Sequence, residues 1–303
     1  MAARSMGEYE PPTKGPPAMM GAHHAACGAA AWVAVTTHVE VGLGVAAATL
    51  TFLPDTIALG LGLLEVSPVG VVTGALVTAG AALLPDADHH NATIAHSLPP
   101  LSNAVCSGIG AISGGHRHGT HSIIGIVAFV SVAWVAGLWT LDTEAFGRVF
   151  PGAGLLAVLL VSFAAKVLKI IPDRMRKSPW AVGLVAGAFV CAFAPEEQFW
   201  FPVAVGLGVI VHVLGDMLTT GGCNLLHPLT LKPPGAIAAL PVVGRIWRKN
   251  GYVAVPVLGN AGSVREWCLL VPISLYAIGG VGWAITTMSR SGLRSLAIAV
   301  GSG

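Results

Sequence analysis

Four short segments gather eight of the 11 histidines with three aspartates, side chains able to do acid–base or metal chemistry. They are 21–28 with His23 and His24, 84–90 with Asp86, Asp88, His89 and His90, 115–122 with His116, Arg117, His118, Thr120 and His121, and 212–219 with His212 and Asp216. Nine of the 11 histidines lie in or beside these segments or their continuation, all but His38 and His96. His212 and Asp216 are four residues apart, so on a helix they share one face and can point at one ion. Asp86 and Asp88 flank Ala87 just past a helix end, where a carboxylate pair can hold or bridge cations. Imidazole nitrogen with carboxylate oxygen is a ligand set for zinc, manganese, iron or nickel. Carboxylates alone would have pointed to magnesium or calcium. Each motif alone has a plainer reading: a local hydrogen-bonded pair for H-x-x-x-D, a solvated turn for D-x-D-H, a basic surface patch for H-R-H-G-T-H. Their joint occurrence points to a shared metal site.

Such a site has a chemistry. An ion with an open position lowers the pKa of a bound water to about 7. Asp86 or Asp88, if free of the metal, is placed to act as general base. Arg117 is placed to hold an anionic group such as a phosphate. Thr120 and Ser122 can donate to the ligands or cap the following helix. His38 with Glu40, and His96, are weaker candidates. His227 lies in a loop that could fold over the site. The five cysteines are far apart, with no C-x-x-C, and read as small apolar fillers.

The elements that must position these groups are membrane helices. Only 10% of the residues are charged and mean hydropathy is +0.76, against roughly 25% charged in an ordinary soluble domain. In lipid the backbone must satisfy itself, as helices or a closed barrel. The apolar runs are unbroken rather than alternating, so helices are expected. Clear spans are 68–84, 122–141, 152–171, 180–194, 199–218 and 267–288, whereas 25–64 reads as one long or broken span, or more than one. Alternating the spans across the membrane brings all four segments to one side, given an odd number of crossings within 25–64. Of the 16 Lys and Arg, 13 fall on that side and three (Arg148, Arg290, Arg294) on the other, which marks it as cytoplasmic. Ionisable groups at such an edge are costly and mark function. The net charge of +2 gives no reason to expect nucleic acid.

The expected fold class is therefore all-α, a polytopic transmembrane helical bundle with a cytoplasmic-face metal site. Residues 1–18 read as a polar, Pro-rich disordered tail, 19–232 as the membrane-embedded domain, 233–266 as a basic segment along the inner surface, and 267–303 as a final helix and tail.

Four motifs carry a family resemblance: His24 to Gly28 as H-x-x-x-G, Leu84 to His89 as L-P-D-x-D-H, Gly115 to Ser122 as G-H-R-x-x-T-H-S, and His212 to Gly222 as H-x-x-x-D-x-L-T-x-x-G. With these the chain resembles the YdjM family of bacterial inner-membrane proteins over roughly residues 19–232. The resemblance implies a metal-dependent hydrolase with His24, Asp86, Asp88, His89, His116, His121, His212 and Asp216 as ligands. His23 beside His24 leaves the N-terminal ligand open, and His90 and His118 are further imidazoles nearby. Eight candidates allow a two-metal site. Zinc is the first choice of ion, with manganese, iron or nickel as alternatives. The expected partners are membrane lipid and an amphiphilic phosphorylated substrate such as a phosphoester or lipid-linked molecule. The alternatives are a metal-ion transporter or sensor without hydrolytic activity, and a scaffold with incidental histidines.

Overall fold

The computed structural model describes residues 21–42, 44, 54–89, 92–172, 175, 178–197, 199–260 and 262–301. The tail expected over 1–18, His90, and the basic residues Arg4, Lys14, Arg174, Arg176 and Lys177 lie outside the described residues. The elements are α1 (Gly21–Thr36), β1 (Val39–Gly42), β2 (Thr56–Leu59), α2 (Pro68–Ala81), α3 (Leu101–Ser113), α4 (Ile123–Gly137), β3 (Leu141–Thr143), β4 (Gly147–Val149), α5 (Pro151–Val167), α6 (Ser178–Phe193), α7 (Trp200–Met217), α8 (Gly235–Ala238), α9 (Val243–Ile246) and α10 (Val264–Gly301). Short 3-10 turns cover Pro85–Asp88, Thr93–His96 and Gly119–His121.

The chain is mostly helical, and among the described residues three stretches are long and apolar enough to cross a membrane: Pro68–Asp88, Trp200–Met217 and Val264–Arg290. The other expected spans are shorter apolar helices, α4, α5 and α6. Their outer faces are as apolar as their inner ones. Ile124, Val127, Val132 and Val135 on α4 and Leu155 on α5 are exposed, as lipid-facing residues would be.

α2 is the hub. It packs against α1, α5, α7 and α10, and Val71, Ala75, Val77, Ala79 and Ala81 are buried. Ser67 caps it, its hydroxyl accepting from Gly70 N at 3.2 Å, with Pro68 in the first turn. Two neighbours meet α2 at one point. A Cβ on Gly28 of α1 would lie 2.6 Å from the Thr78 carbonyl oxygen, and one on Gly208 of α7 would lie 2.6 Å from the same atom. Only glycine lets both backbones approach so closely, the small-residue packing that membrane helices use. His24 stands one turn from Gly28 and His212 one turn from Gly208. The crossing therefore carries both imidazoles to the end of α2, where Asp86 and Asp88 follow.

Two stretches outside the clear spans take definite shape. Among the described residues, 25–64 holds no long span. Thr36 ends α1, and β1 and β2 follow as an exposed antiparallel hairpin pairing Val39 with Leu59. The stretch between Asp88 and His116, which holds none of the clear spans, folds into a 3-10 turn carrying His96 and then α3. With Gly108 and Gly110 in it, α3 has weak intrinsic helix propensity. It is held from outside, Ser102 Oγ donating to Ala95 O at 2.8 Å and accepting from Leu98 N at 3.0 Å.

The 233–266 segment folds back on the chain beyond α7. Val253 pairs with Cys223, Thr219 with Gly259, and Glu266 in the first turn of α10 is fully buried.

Candidate metal centre

The four segments converge. His24 enters from the first turn of α1, Asp86 and Asp88 from the 3-10 turn after α2, His116 to His121 from the turn before α4, and His212 and Asp216 from the last turns of α7. Ser122 begins α4 by accepting from Gly125 N at 3.2 Å, which fixes the preceding turn so that His121 points inward.

At the centre, His121 Nε2 and His212 Nε2 lie 3.2 Å apart. Asp86 Oδ1 lies 3.7 Å from His212 Nε2 and 4.0 Å from His121 Nε2. Asp216 Oδ2 lies 3.5 Å from His121 Nε2 and 3.9 Å from His212 Nε2. Donors held about 2.1 Å from one ion at tetrahedral angles stand about 3.4 Å from each other, close to these separations. On the other oxygen of Asp216, Oδ1, His24 Nε2 approaches to 3.5 Å, and the His24 ring stacks on His212 at 3.7 Å. Among the described residues three groups of side chains could each hold an ion: His24 with His212 and Asp216; Asp86 with His121 and His212; Asp88 with His116 and His121.

Unsatisfied atoms support an ion at this place. Both carboxylate oxygens of Asp216 are buried without a hydrogen-bond partner, as is His24 Nδ1. Arg117 offsets part of the Asp216 charge at 3.1 Å from Oδ1, but a buried acceptor left without hydrogen bonds costs about 1–3 kcal/mol, which a cation on Oδ2 would offset. The outer contacts also suit a ligand shell. His212 Nδ1 donates to Ala82 O at 2.6 Å. This places the proton on Nδ1 and leaves the Nε2 lone pair facing inward.

Asp88 differs from Asp86. Its Oδ1 accepts from His116 Nδ1 at 2.9 Å, and its Oδ2 accepts from Thr120 Oγ1 at 2.7 Å and from Arg117 N at 3.2 Å. His121 Nδ1 is 3.5 Å from the same Oδ2. The Asp88 side chain is fully buried, whereas that of Asp86 is 23% exposed. Asp88 is thus placed to orient His121, and Asp86 faces the opening. Burial disfavours charge on His116, yet its hydrogen bond to Asp88 and that carboxylate's charge outweigh the loss and raise its pKa above the ordinary value.

Arg117 points inward rather than out toward an incoming anion. It is 2% exposed, its Nη2 is 3.1 Å from Asp216 Oδ1, and its Nη1 donates to Gly222 O at 3.2 Å. Its backbone is left-handed at φ 64°, uncommon for a residue with a side chain. The conformation is held from both sides by Asp88 accepting its N–H and Asn224 N donating to its carbonyl at 3.2 Å. Gly221 makes room, since a Cβ there would lie 1.4 Å from Arg117 Nη1.

His89 sits at the outer edge, its ring edge-on to His116 at 5.3 Å, and joins none of the three groups among the described residues. His38 and Glu40 are exposed beyond the far end of α1, which places them ~18 Å or more from His24 at 1.5 Å per residue. His118 and His227 stand outside the centre, rings 5.6 Å apart, with Tyr252 Oη 3.2 Å from His118 Nε2. Burial raises the pKa of the Cys223 thiol, and Cys223 joins none of the three groups among the described residues.

Sequence reasoning missed Glu266 and Tyr252. Glu266 pairs with His23 Nδ1 and accepts from Gly262 N at 2.6 Å, while His23 packs edge-on against Trp267 at 4.7 Å. A charged residue opening an apolar run was the available signal. The pairing itself joins residues 243 apart and leaves no local trace.

No curated protein and no solved structure matches the chain. The family described as YdjM inner membrane protein matches residues 19–289, reaching past the motifs through the 233–266 segment and most of α10. Its span takes in every side chain of the centre and Glu266 besides, and the chain belongs to the YdjM inner membrane protein family.

Proposed function

We propose that this chain is a metal-dependent hydrolase working at the cytoplasmic face of the inner membrane, as a multi-pass helical bundle, on a phosphoester or lipid-linked substrate. The observation that carries the reading is the set of four inward donor atoms, His121 Nε2, His212 Nε2, Asp86 Oδ1 and Asp216 Oδ2, separated by 3.2–4.0 Å wherever a nitrogen is one of the pair. His24, Asp86, His121, His212 and Asp216 would hold the ion, and the nitrogen and oxygen donors without thiolate favour zinc, then manganese, iron or nickel. A bound ion of this kind supplies Lewis acidity and a nucleophile at neutral pH.

The protein's own groups divide the remaining work. Asp88 and Thr120 hold the His121 ring in place. Arg117 offsets the charge of Asp216 from within the floor of the site and positions that carboxylate. Asp86 is the carboxylate nearest the opening, and its oxygen not given to the ion would take a proton from an incoming group. The excess of Lys and Arg on one side of the expected topology supports the cytoplasmic orientation.

A transporter would need polar groups leading on through the membrane. From His24 toward His38, α1 instead buries Ala25, Ala30, Trp32 and Val33, which favours a site at one edge. The test is elemental analysis of detergent-purified protein with a phosphoester and lipid hydrolysis screen. Stoichiometric transition metal and metal-dependent turnover are expected. Absence of bound metal from protein supplied with each candidate ion would overturn the reading.

A further inference from the structure

A cavity of about 590 Å³ opens beside the centre, between α3, α4 and α5. Its walls are apolar: Val105 and Ile109 of α3, Ala128 and Val132 of α4, Leu156 and Leu159 of α5. Its polar side chains are Ser113, Thr120 and His227. Ser113 closes α3 and Thr120 precedes α4, so these groups gather at the site end. Thr120 belongs to both regions, lining the cavity while its hydroxyl donates to Asp88. His227, which lines this end of the cavity, stands beside His118, and His118 stands beside Tyr252.

The cavity opens sideways along its length. Ile112 on α3 and Ile124 and Val132 on α4 are 85%, 60% and 58% exposed, on the surface that lipid covers if these helices lie in the membrane. From Ile124 to Ala133 the groove runs nine residues along α4, about 14 Å at 1.5 Å per residue. A water-soluble ligand would leave this wall unused. A partner helix is too wide, at roughly 10 Å across, to fill the groove and still leave its polar end free for the centre.

We infer that this groove seats the hydrocarbon chain of an amphiphile whose phosphate head lies at the His118–His227–Tyr252 mouth, within reach of the His/Asp centre. The inference rests on the proposed hydrolase reading for what happens to the head, but the seating of the chain requires neither metal nor turnover. The apolar wall supplies affinity by area, and the imidazoles and phenol at the mouth select the anionic end.

The test is photolabelling of the full-length protein in phosphatidylcholine nanodiscs with dodecyl phosphate carrying a diazirine at the end of its chain. Label on the α3 and α4 peptides is expected, competed by excess unlabelled dodecyl phosphate and not by inorganic phosphate. In Ala128→Trp, which places an indole in the groove, the competed label falls about tenfold, equivalent to losing ~1.4 kcal/mol of apolar contact. Val132→Trp makes the same test should the first variant fail to fold. Uncompeted label spread equally over α10 would mean surrounding lipid only and would overturn the inference. Equal competition by inorganic phosphate would do so too, since the chain would then contribute nothing. Groove labelling without hydrolysis of any phosphoester removes the hydrolase proposal alone. Hydrolysis of a short phosphoester without groove labelling removes the groove alone.

Discussion

His23 and His24 are neighbours in one helical turn and have opposite fates. His24 turns toward α7, stacks on His212 and faces Asp216, whose two oxygens have no hydrogen-bond partner. His23 points about 100° away around α1, toward α10, where Glu266 takes its Nδ1 and Trp267 packs against its ring. Both pairs are buried imidazole–carboxylate contacts. In the Glu266 pair each carboxylate oxygen has a protein donor, from His23 and from the Gly262 backbone. At Asp216 the histidine nitrogens stand at 3.5–3.9 Å, too far for hydrogen bonds, and Arg117 Nη2, at 3.1 Å from Oδ1, forms an ion pair without hydrogen-bond geometry. The lesson is that burial and charge do not distinguish a ligand from a strut. What separates them is whether the acceptor's lone pairs are already used.

The widest separation between the two regions is expected on removing the carboxylates. Asp216→Ala should abolish metal binding and also destabilise the fold by about 3–5 kcal/mol, because the Arg117 charge is then buried without its counter-ion. Glu266→Ala should lower the melting temperature and leave metal stoichiometry intact. Elemental analysis beside thermal unfolding reads both, and metal loss in Glu266→Ala would merge the two regions into one. Next come the histidines. His24→Ala should weaken metal binding beyond the ~10–100-fold that an outer-contact residue is worth. His23→Ala should keep the metal and cost about 1–3 kcal/mol by withdrawing a donor from a buried carboxylate. A reversed result in metal titration would mean that α1 is rotated.

Gly208→Val sharpens the comparison at its source. The added side chain meets the Thr78 carbonyl, forcing α7 away from α2 at a cost of about 1–3 kcal/mol. Metal affinity should fall with stability here, while the distant Glu266 contact persists, as cross-linking between α1 and α10 would report. The smallest effect is one of pH. The His116 pKa is raised in the folded protein, so its contribution is fully present below the ordinary histidine pKa of 6.5 and is lost as pH rises through the raised value. In metal-free protein, the stability gap between wild type and His116→Gln should therefore be widest in acid and close toward alkaline pH. A gap that does not change with pH would mean that His116 acts by packing.

Much of the centre was legible beforehand. The four motifs, their arrival on one side and the helix start at Ser122 follow from spacing and from where apolar runs begin and end. The hairpin after α1, the helix α3 and the inward turn of Arg117 were not legible, for separate reasons. Exposed strands in an apolar chain carry no amphipathic signature. A glycine-containing helix is stabilised by its surroundings. The direction of a side chain in a left-handed residue depends on Asp88 and Asn224, which the local sequence does not identify as partners.

Composition alone determined that the chain is a lipid-compatible helical protein, because so few charges cannot cover a water-exposed surface of this size. Residue type and spacing determined which side chains were available to bind an ion. Tertiary structure decided how they divide: His24 inward and His23 outward, Asp86 facing the opening and Asp88 saturated by hydrogen bonds, Glu266 drawn from near the far end of the chain to the first helix. The physical reason is that these assignments depend on where the lone pairs point once Gly28 and Gly208 let three helices meet at the Thr78 carbonyl. That close approach is a property of packed backbones, not of any single segment read by itself.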